Sequence, residues 1–236
     1  MIQAKNISKK FGRLKVLNDI SFQFDKGACI ALLGHNGCGK TTLIKMMLGM
    51  VMPDNGTLLF DGTPVVSNNW QYRNRIGYMP QIGRYPENMT IAQIINMMKD
   101  IRHSKDKAPD EDLIRDFGLD NMMSKKMRTL SGGTTQKVSA GLAFMFHADV
   151  LILDEPTAGL DPLSSEILKQ KIIREKEKGK LILITSHILS ELDDLITEVV
   201  YMQEGNFLFH KKLSDLKAET GEQKLAHAIR KIMSVS

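Results

Sequence analysis

The chain has 236 residues, of which 42% are hydrophobic and 25% are charged, and its net charge is +5. This composition argues against a disordered or fibrous chain, and the scattered basic residues argue against a nucleic acid partner. No run of about 18 apolar residues is present, and the first residues lack the pattern of a signal peptide, so we expect a cytosolic protein that does not cross a membrane. The two cysteines, Cys29 and Cys38, lack the spacing of a disulfide framework and are expected to be reduced thiols.

The first third of the chain has the pattern of strands with one helix. Strands are predicted at Ile2–Ile7, Val16–Phe24, Cys29–Leu33 and Thr57–Phe60. The helix is predicted at Thr41–Met50, before a turn that begins at Pro53. This part of the chain is therefore expected to be mainly sheet.

The remaining chain changes first to helical periodicity and then to alternating strands and helices. Residues 90–147 are predicted to form an inserted helical subdomain, with helices at 91–101, at 111–119 and after Gly133. Strands are then predicted at 149–156, 180–186 and 198–210, and helices at 164–179, 188–196 and 214–236. Such alternation predicts a parallel sheet covered by helices. We expect one domain over 1–236, with its core at 1–89 and 148–213 and a helical tail at 214–236.

A glycine-rich loop lies between the strand at Cys29–Leu33 and the first helix, and it fits the pattern G-x-x-x-x-G-K-[ST]. Its glycines let backbone N–H groups turn toward phosphates, Lys40 can reach the terminal phosphates, and Thr41 can offer a hydroxyl to Mg²⁺. Cys38 fills a small-residue position or, alternatively, is an oxidisable thiol. The loop predicts ATP and magnesium as ligands, with nucleotide contacts from Gly34, His35, Asn36, Gly37, Cys38, Gly39, Lys40, Thr41 and Thr42.

Two adjacent carboxylates, Asp154 and Glu155, end the apolar strand that begins at Asp149. In a parallel sheet they emerge at the carboxyl edge, beside the phosphate-binding loop. Asp154 is predicted to hold Mg²⁺, and Glu155 is predicted to orient and deprotonate the water that attacks the γ-phosphate. Together with Lys40 these residues predict an ATPase.

The segment Leu130-Ser131-Gly132-Gly133-Thr134-Thr135-Gln136 resembles the signature motif of ABC ATPases, and the resemblance extends over essentially the whole chain. It implies an α/β fold with a RecA-like P-loop NTPase core, an antiparallel β subdomain and an inserted α-helical subdomain. Gln81 matches the family's Q-loop and would contact Mg²⁺ and the γ-phosphate, Asp161 matches its D-loop at the nucleotide, and His187 matches its switch histidine. Phe11 matches the aromatic residue that stacks on adenine, although a buried core position is the alternative.

The resemblance also implies a paired protein. Ser131, Gly132 and Gly133 at a helix start form a second anion-binding site, which in the family closes over the ATP bound by a partner domain. We therefore expect a homodimer that acts on an integral membrane permease from the cytoplasmic face of the inner membrane.

Several motifs together look most like the NosF family, the ATPases of the nitrous-oxide-reductase maturation system. These motifs are GHNGCGKTT, YMPQI, LSGGTTQKVSAGLAFMF and DEPTAGLDP. That resemblance implies copper-site maturation with a periplasmic copper-handling partner. A general exporter ATPase and a soluble assembly ATPase resembling the iron–sulfur scaffold ABC subunit remain alternatives, whereas the intact Lys40 and Glu155 argue against an inactive regulator. Lys137 stands where the commoner pattern has an arginine.

Overall fold

The computed structural model describes residues 1–102 and 108–235, which form ten strands and seven helices. The strands are β1 (Ile2–Phe11), β2 (Leu14–Phe24), β3 (Cys29–Gly34), β4 (Asn55–Phe60), β5 (Thr63–Pro64), β6 (Ile76–Met79), β7 (Val150–Asp154), β8 (Leu181–Thr185), β9 (Glu198–Gln203) and β10 (Asn206–Lys212). The helices are α1 (Lys40–Met47), α2 (Ile91–Arg102), α3 (Asp112–Asp116), α4 (Gly132–Phe144), α5 (Pro162–Glu177), α6 (Leu213–Thr220) and α7 (Leu225–Val235). Short 3₁₀ turns lie at Gln71–Arg75, Leu119–Met122, Met127–Thr129 and Leu189–Glu191.

The strands form two sheets. An antiparallel sheet has the order β2-β1-β4-β5, and a larger sheet has the order β10-β9-β3-β8-β7-β6. In the larger sheet all neighbours from β9 to β6 are parallel, and β10 pairs antiparallel with β9 at the edge. Every residue of β7 and β8 is buried, as expected for parallel strands that are covered on both faces. The predicted α/β architecture is confirmed.

Successive residues of the parallel strands face opposite sides of the larger sheet. On one of these sides, α1 lies between the two sheets. Leu32 and Ile152 pack with α1 and the antiparallel sheet in one buried cluster. Leu33 and Leu153 belong to a second cluster, which contains residues of α2 to α7. This layering fixes α1, and with it the loop that precedes it, at the carboxyl edge of β3.

The range predicted as a helical subdomain contains α2, α3 and α4, while its residues 103–107 lie outside the described part of the chain. Helix α4 lies against β6 at a point where a Cβ on Gly77 would be 2.1 Å from the carbonyl oxygen of Ala143. Only glycine permits this approach of helix and strand. The status of 90–147 as a separate subdomain stays a prediction.

Two expectations for the last third differ from the structure. The helix predicted at 188–196 is wrong, because the segment forms the 3₁₀ turn Leu189–Glu191 and further tight turns instead. Its side chains bond to other parts of the chain, with Glu191 accepting from Thr157 and Asp193 accepting from the N–H of Leu225. The tail helix predicted at 214–236 is two helices, since Gly221 has a φ of 69° and ends α6. Ser236 lies outside the described residues.

Among the residues that the structure describes, no helix combines the length and the apolar character that crossing a bilayer requires.

Candidate functional site

The loop between β3 and α1 has backbone angles that glycine adopts freely and that residues with a side chain adopt only with strain. Gly34, Gly37 and Gly39 have φ values of 142°, 82° and 112°. A Cβ on Gly39 would lie 2.8 Å from the carbonyl oxygen of Val16, and one on Gly34 would lie 2.2 Å from that of Met202. The glycine positions of the motif therefore match both the curl of the loop and its close fit against neighbouring strands.

The loop leads into the N-terminus of α1, where the helix dipole places a partial positive charge. No side chain caps the first turn of α1, so the amides there point toward the loop without a protein acceptor from a capping residue. The Lys40 ammonium group donates to the carbonyl oxygens of Gly34 at 2.6 Å and His35 at 3.1 Å. The loop thus folds around its own lysine and forms a cradle for a polyphosphate.

Cys38 is a buried residue of this loop, and its Sγ lies 3.9 Å from the Lys40 ammonium. Its side chain is 5% exposed and belongs to the cluster that α1 forms with the antiparallel sheet. The thiol lacks the exposure that oxidation requires, so the residue fills a small buried position. Cys29 is also a free buried thiol, and burial raises its pKa to about 12.

One residue of the neighbouring strand, Thr185, bonds to both acidic residues at the end of β7. Its hydroxyl donates to Asp154 Oδ1 at 2.5 Å and accepts from the N–H of Glu155 at 2.9 Å. Glu155 has a φ of 49°, which is uncommon for a residue other than glycine. Sequence reasoning missed Thr185, whose signal was its place at the end of the next apolar strand.

Glu155 is paired with His187. The two atoms Glu155 Oε1 and His187 Nε2 lie 3.0 Å apart, and the histidine side chain is 49% exposed. A carboxylate beside an imidazole at the mouth of a phosphate cradle can orient a water molecule and accept a proton from it.

The structure brings ten of the predicted site residues into one open cavity. Its lining residues are Asn36, Gly37, Gly39, Lys40, Thr41, Thr42, Gln81, Asp154, Glu155 and His187. Gly34, His35 and Cys38 belong to the same loop without lining the cavity, and Phe11, Ser131, Gly132, Gly133 and Asp161 lie outside it. Apart from Phe11 and Asp161, the predicted site residues therefore form two groups, one at the cavity and its loop and the other at the start of α4.

Phe11 ends β1 as an exposed residue, with 51% of its surface accessible. The alternative of a buried core position is wrong. The Lys9 ammonium lies 5.4 Å from the centre of the ring, and the exposed residue offers surface on which a base can stack.

The second group lies at the start of α4. Ser131 caps this helix by accepting from the N–H of Thr134 at 3.2 Å, and both Ser131 and Gly132 are exposed. A Cβ on Gly133 would lie 2.6 Å from the carbonyl oxygen of Gly159. The start of α4 therefore presents a serine hydroxyl and backbone amides, and these groups do not line the cavity of the same chain.

Three contacts attach α4 to the loop that follows Glu155. Besides the approach of Gly133 to Gly159, Gln136 Nε2 lies 3.5 Å from the carbonyl oxygen of Glu155, and Lys137 Nζ lies 2.9 Å from Asp161 Oδ2. The hydrogen bond from Lys137, with further bonds from Ser164, lowers the pKa of Asp161. The Asp161 carboxylate also caps α5, so its predicted contact with a nucleotide stays a prediction.

Comparison with known proteins gives concordant matches. The family model described as ABC transporter matches residues 17–158. The Nod factor export ATP-binding protein I of Burkholderia lata is 35% identical, over 86% of this chain and 68% of that protein. The linearmycin resistance ATP-binding protein LnrL of Bacillus subtilis is 30% identical, over 94% and 72%. Human phospholipid-transporting ATPase ABCA3 is 34% identical over 92% of this chain, although the match spans 13% of that protein.

Solved structures agree in fold. A structure described as the ATP-binding subunit of an ABC transporter superposes with a TM-score of 0.90 at 27% identity and covers 99% of both chains. A dimeric post-hydrolysis ATP-binding cassette with ADP and Pi has a TM-score of 0.76 at 21% identity, with 90% of this chain and 99% of that chain covered. At the latter identity the likeness concerns the fold alone.

Proposed function

Since the chain belongs to the ABC transporter family of ATP-binding proteins, we propose that two copies close head to tail on two ATP molecules and drive a membrane permease. The single observation that carries this proposal is the separation of the two anion-binding groups. Lys40 and the start of α1 line the cavity, whereas Ser131 and its glycines lie outside it. A second copy would supply the missing group, as the resemblance implies.

The residues of the site then have separate tasks in hydrolysis. Lys40 and the amides of α1 hold the phosphates of ATP, and Phe11 stacks on the adenine ring. Glu155 orients the attacking water and accepts its proton, while His187 steadies the carboxylate and contacts the γ-phosphate. Closure of the partner's Ser131 over the nucleotide makes ATP part of the interface, so hydrolysis weakens the pair.

The oxygen atoms in the cavity fit magnesium. The hydroxyl of Thr41, the amide oxygen of Gln81 and the carboxylate of Asp154 line the same cavity and are the hard ligands that Mg²⁺ prefers. When bound, Mg²⁺ would neutralise charge on the β- and γ-phosphates. The Thr185 hydroxyl orients Asp154 by donating to it.

A complementation experiment tests the paired site. Lys40→Ala removes the cradle lysine, and Ser131→Arg blocks the cap, so each variant alone should lose ATP hydrolysis. Mixed dimers combine the intact Lys40 of one copy with the intact Ser131 of the other, so an equal mixture should recover roughly a quarter of wild-type turnover, since half of random pairs carry one whole site. Failure of recovery in dimers shown to contain both variants would contradict the head-to-tail arrangement.

The permease and its cargo form the second part of the proposal. Two relatives are named for export and for linearmycin resistance, which supports an export permease and a location at the cytoplasmic face of the inner membrane. Nitrous-oxide-reductase copper-site maturation, with a periplasmic copper-handling partner, is the narrower hypothesis that the quoted motifs support.

Co-purification with the membrane protein encoded beside this chain separates the possibilities. We expect a stable complex and stimulated ATP hydrolysis. Deletion of the chain should leave nitrous oxide reductase with its full copper content if the permease exports another cargo, and with a depleted copper site if the maturation hypothesis holds. A chain that binds only soluble assembly proteins would contradict both.

A further inference from the structure

The segment that follows β8 carries His187 but has little structure of its own to hold that residue in place. The Ile188 N–H donates to the Ser186 hydroxyl at 2.9 Å, and the Glu191 N–H donates to the Ile188 carbonyl oxygen at 3.2 Å. These bonds join residues two or three positions apart, so they shape the turn without fixing where it lies relative to β7. The half-exposed His187 ring is likewise not fixed by burial.

One side chain connects this turn to the loop that follows Glu155. Glu191 Oε2 accepts a hydrogen bond from Thr157 Oγ1 at 2.5 Å. Thr157 comes two residues after Glu155, and Glu191 comes four residues after His187. The bond therefore joins the same two segments as the Glu155–His187 pair, and a charged acceptor makes it stronger than a neutral bond.

The far end of the segment is anchored elsewhere. Leu192 and Leu195 are 2% and 4% exposed and pack in the large cluster. Asp193 Oδ1 accepts from the N–H of Leu225 at 2.9 Å and lies 3.6 Å from Lys217 Nζ, which ties this end to α6 and α7. Glu191 is thus the side-chain connection that faces the catalytic carboxylate, whereas Asp193 faces the tail.

We propose that Glu191 is a positioning residue for hydrolysis: by accepting from Thr157, it holds the turn after His187 against the loop after Glu155 and keeps the imidazole at the carboxylate. The inference rests on the roles proposed above for Glu155 and His187. Glu191 itself does not line the cavity and touches no reacting atom. Its loss should therefore lower kcat and leave ATP binding in place.

Steady-state kinetics of four variants test the positioning role of Glu191. Glu191→Ala and Thr157→Val each remove one partner, and we expect kcat to fall about 10-fold or more, because small misplacements of catalytic groups are costly, while KM for ATP stays within about twofold. Thr157→Ser keeps the hydroxyl and should retain wild-type turnover. The double variant Thr157→Val with Glu191→Ala should be no worse than either single variant, since both remove the same bond.

Two control variants separate this bond from general effects of charge. Glu166→Ala removes an exposed carboxylate of α5, and Lys169→Met removes the ammonium that lies 3.9 Å from Glu191 Oε1. Both should retain wild-type kcat. If Glu191→Ala does not fold, the pair Thr157→Val and Thr157→Ser still decides the question at nearly constant side-chain volume.

The inference fails if Thr157→Val retains wild-type kcat, if Thr157→Ser is as impaired as Thr157→Val, or if the losses in the double variant add. Glu155→Gln and His187→Ala, measured beside these variants, show which proposal has failed. When both of those abolish turnover and Thr157→Val does not change it, only the role of Glu191 is overturned. When neither affects turnover, the proposed hydrolytic site itself is wrong.

Discussion

Glu155→Gln is expected to bind ATP normally, to accumulate as an ATP-bound dimer and to lose turnover by ~10³-fold, within the range for removing a general base. The amide keeps the size of the side chain and can still face His187, so the cavity should keep its shape. It cannot accept a proton from water, so the nucleotide that joins the two copies is not hydrolysed. We expect ATP to convert the variant from monomer to dimer, whereas ADP should not.

Light scattering with ATP or ADP, together with a turnover assay, measures this result. Lys40→Ala is the matched control, because it removes the cradle lysine that lines the same cavity and should stay monomeric with either nucleotide. A Glu155→Gln protein that remains monomeric with ATP and hydrolyses it at the wild-type rate would exclude Glu155 as the base.

Lys171→Met is expected to lower the free energy of unfolding by about 3 kcal/mol, the lower end of the usual cost of leaving a buried charge without its partner. Lys171 lies on α5 with 3% exposure, and its ammonium is 2.5 Å from Asp110 Oδ2, 3.3 Å from Asp112 Oδ2 and 3.7 Å from Glu175 Oε1. Methionine fills a similar volume but leaves Asp110 without a cation, whereas Asp112 keeps Arg115 and Glu175 keeps Lys178 and Lys180. The network joins α5 to the start of α3 and the segment before it. Its loss should therefore also weaken the packing of α3 against α5.

Urea unfolding of Lys171→Met, compared with Arg174→Met at an exposed position of the same helix, measures the difference. The double variant Lys171→Met with Asp110→Asn should recover part of the loss, because the carboxylate that lost its cation is replaced by a neutral amide. Equal stability of Lys171→Met and Arg174→Met would show that the network contributes nothing.

The same network predicts a dependence on pH. Burial lowers the pKa of Lys171, but the hydrogen bond and charge of Asp110, with Asp112 and Glu175, raise it by more, so the net shift is upward from 10.5. A raised folded-state pKa stabilises the protein below the unfolded value and loses that contribution as pH rises through the folded value. The stability gap between wild type and Lys171→Met should therefore persist to about pH 10 and narrow only above 10.5.

Much of the site could be predicted from the sequence because its parts are local. The phosphate-binding loop needs glycines at fixed spacing between a strand and a helix, and β3, Gly34 to Gly39 and α1 occupy those places. Asp154 and Glu155 emerge at the same edge because parallel strands end together. Periodicity also identified the alternating strands and helices of the core, although not the break at Gly221 or the turns after His187.

Contacts between distant segments could be decided only by the tertiary structure. Thr185 orients both Asp154 and Glu155 across a strand pair, and Glu191 bonds to Thr157 across 34 positions of the chain. The sequence by itself determined which residues can bind phosphate and accept a proton, because those abilities belong to side-chain chemistry and short-range backbone geometry. Which side chains orient them depends on the order in which β7 and β8 pair and on how the turn after β8 is anchored, and local patterns carry no information about that pairing.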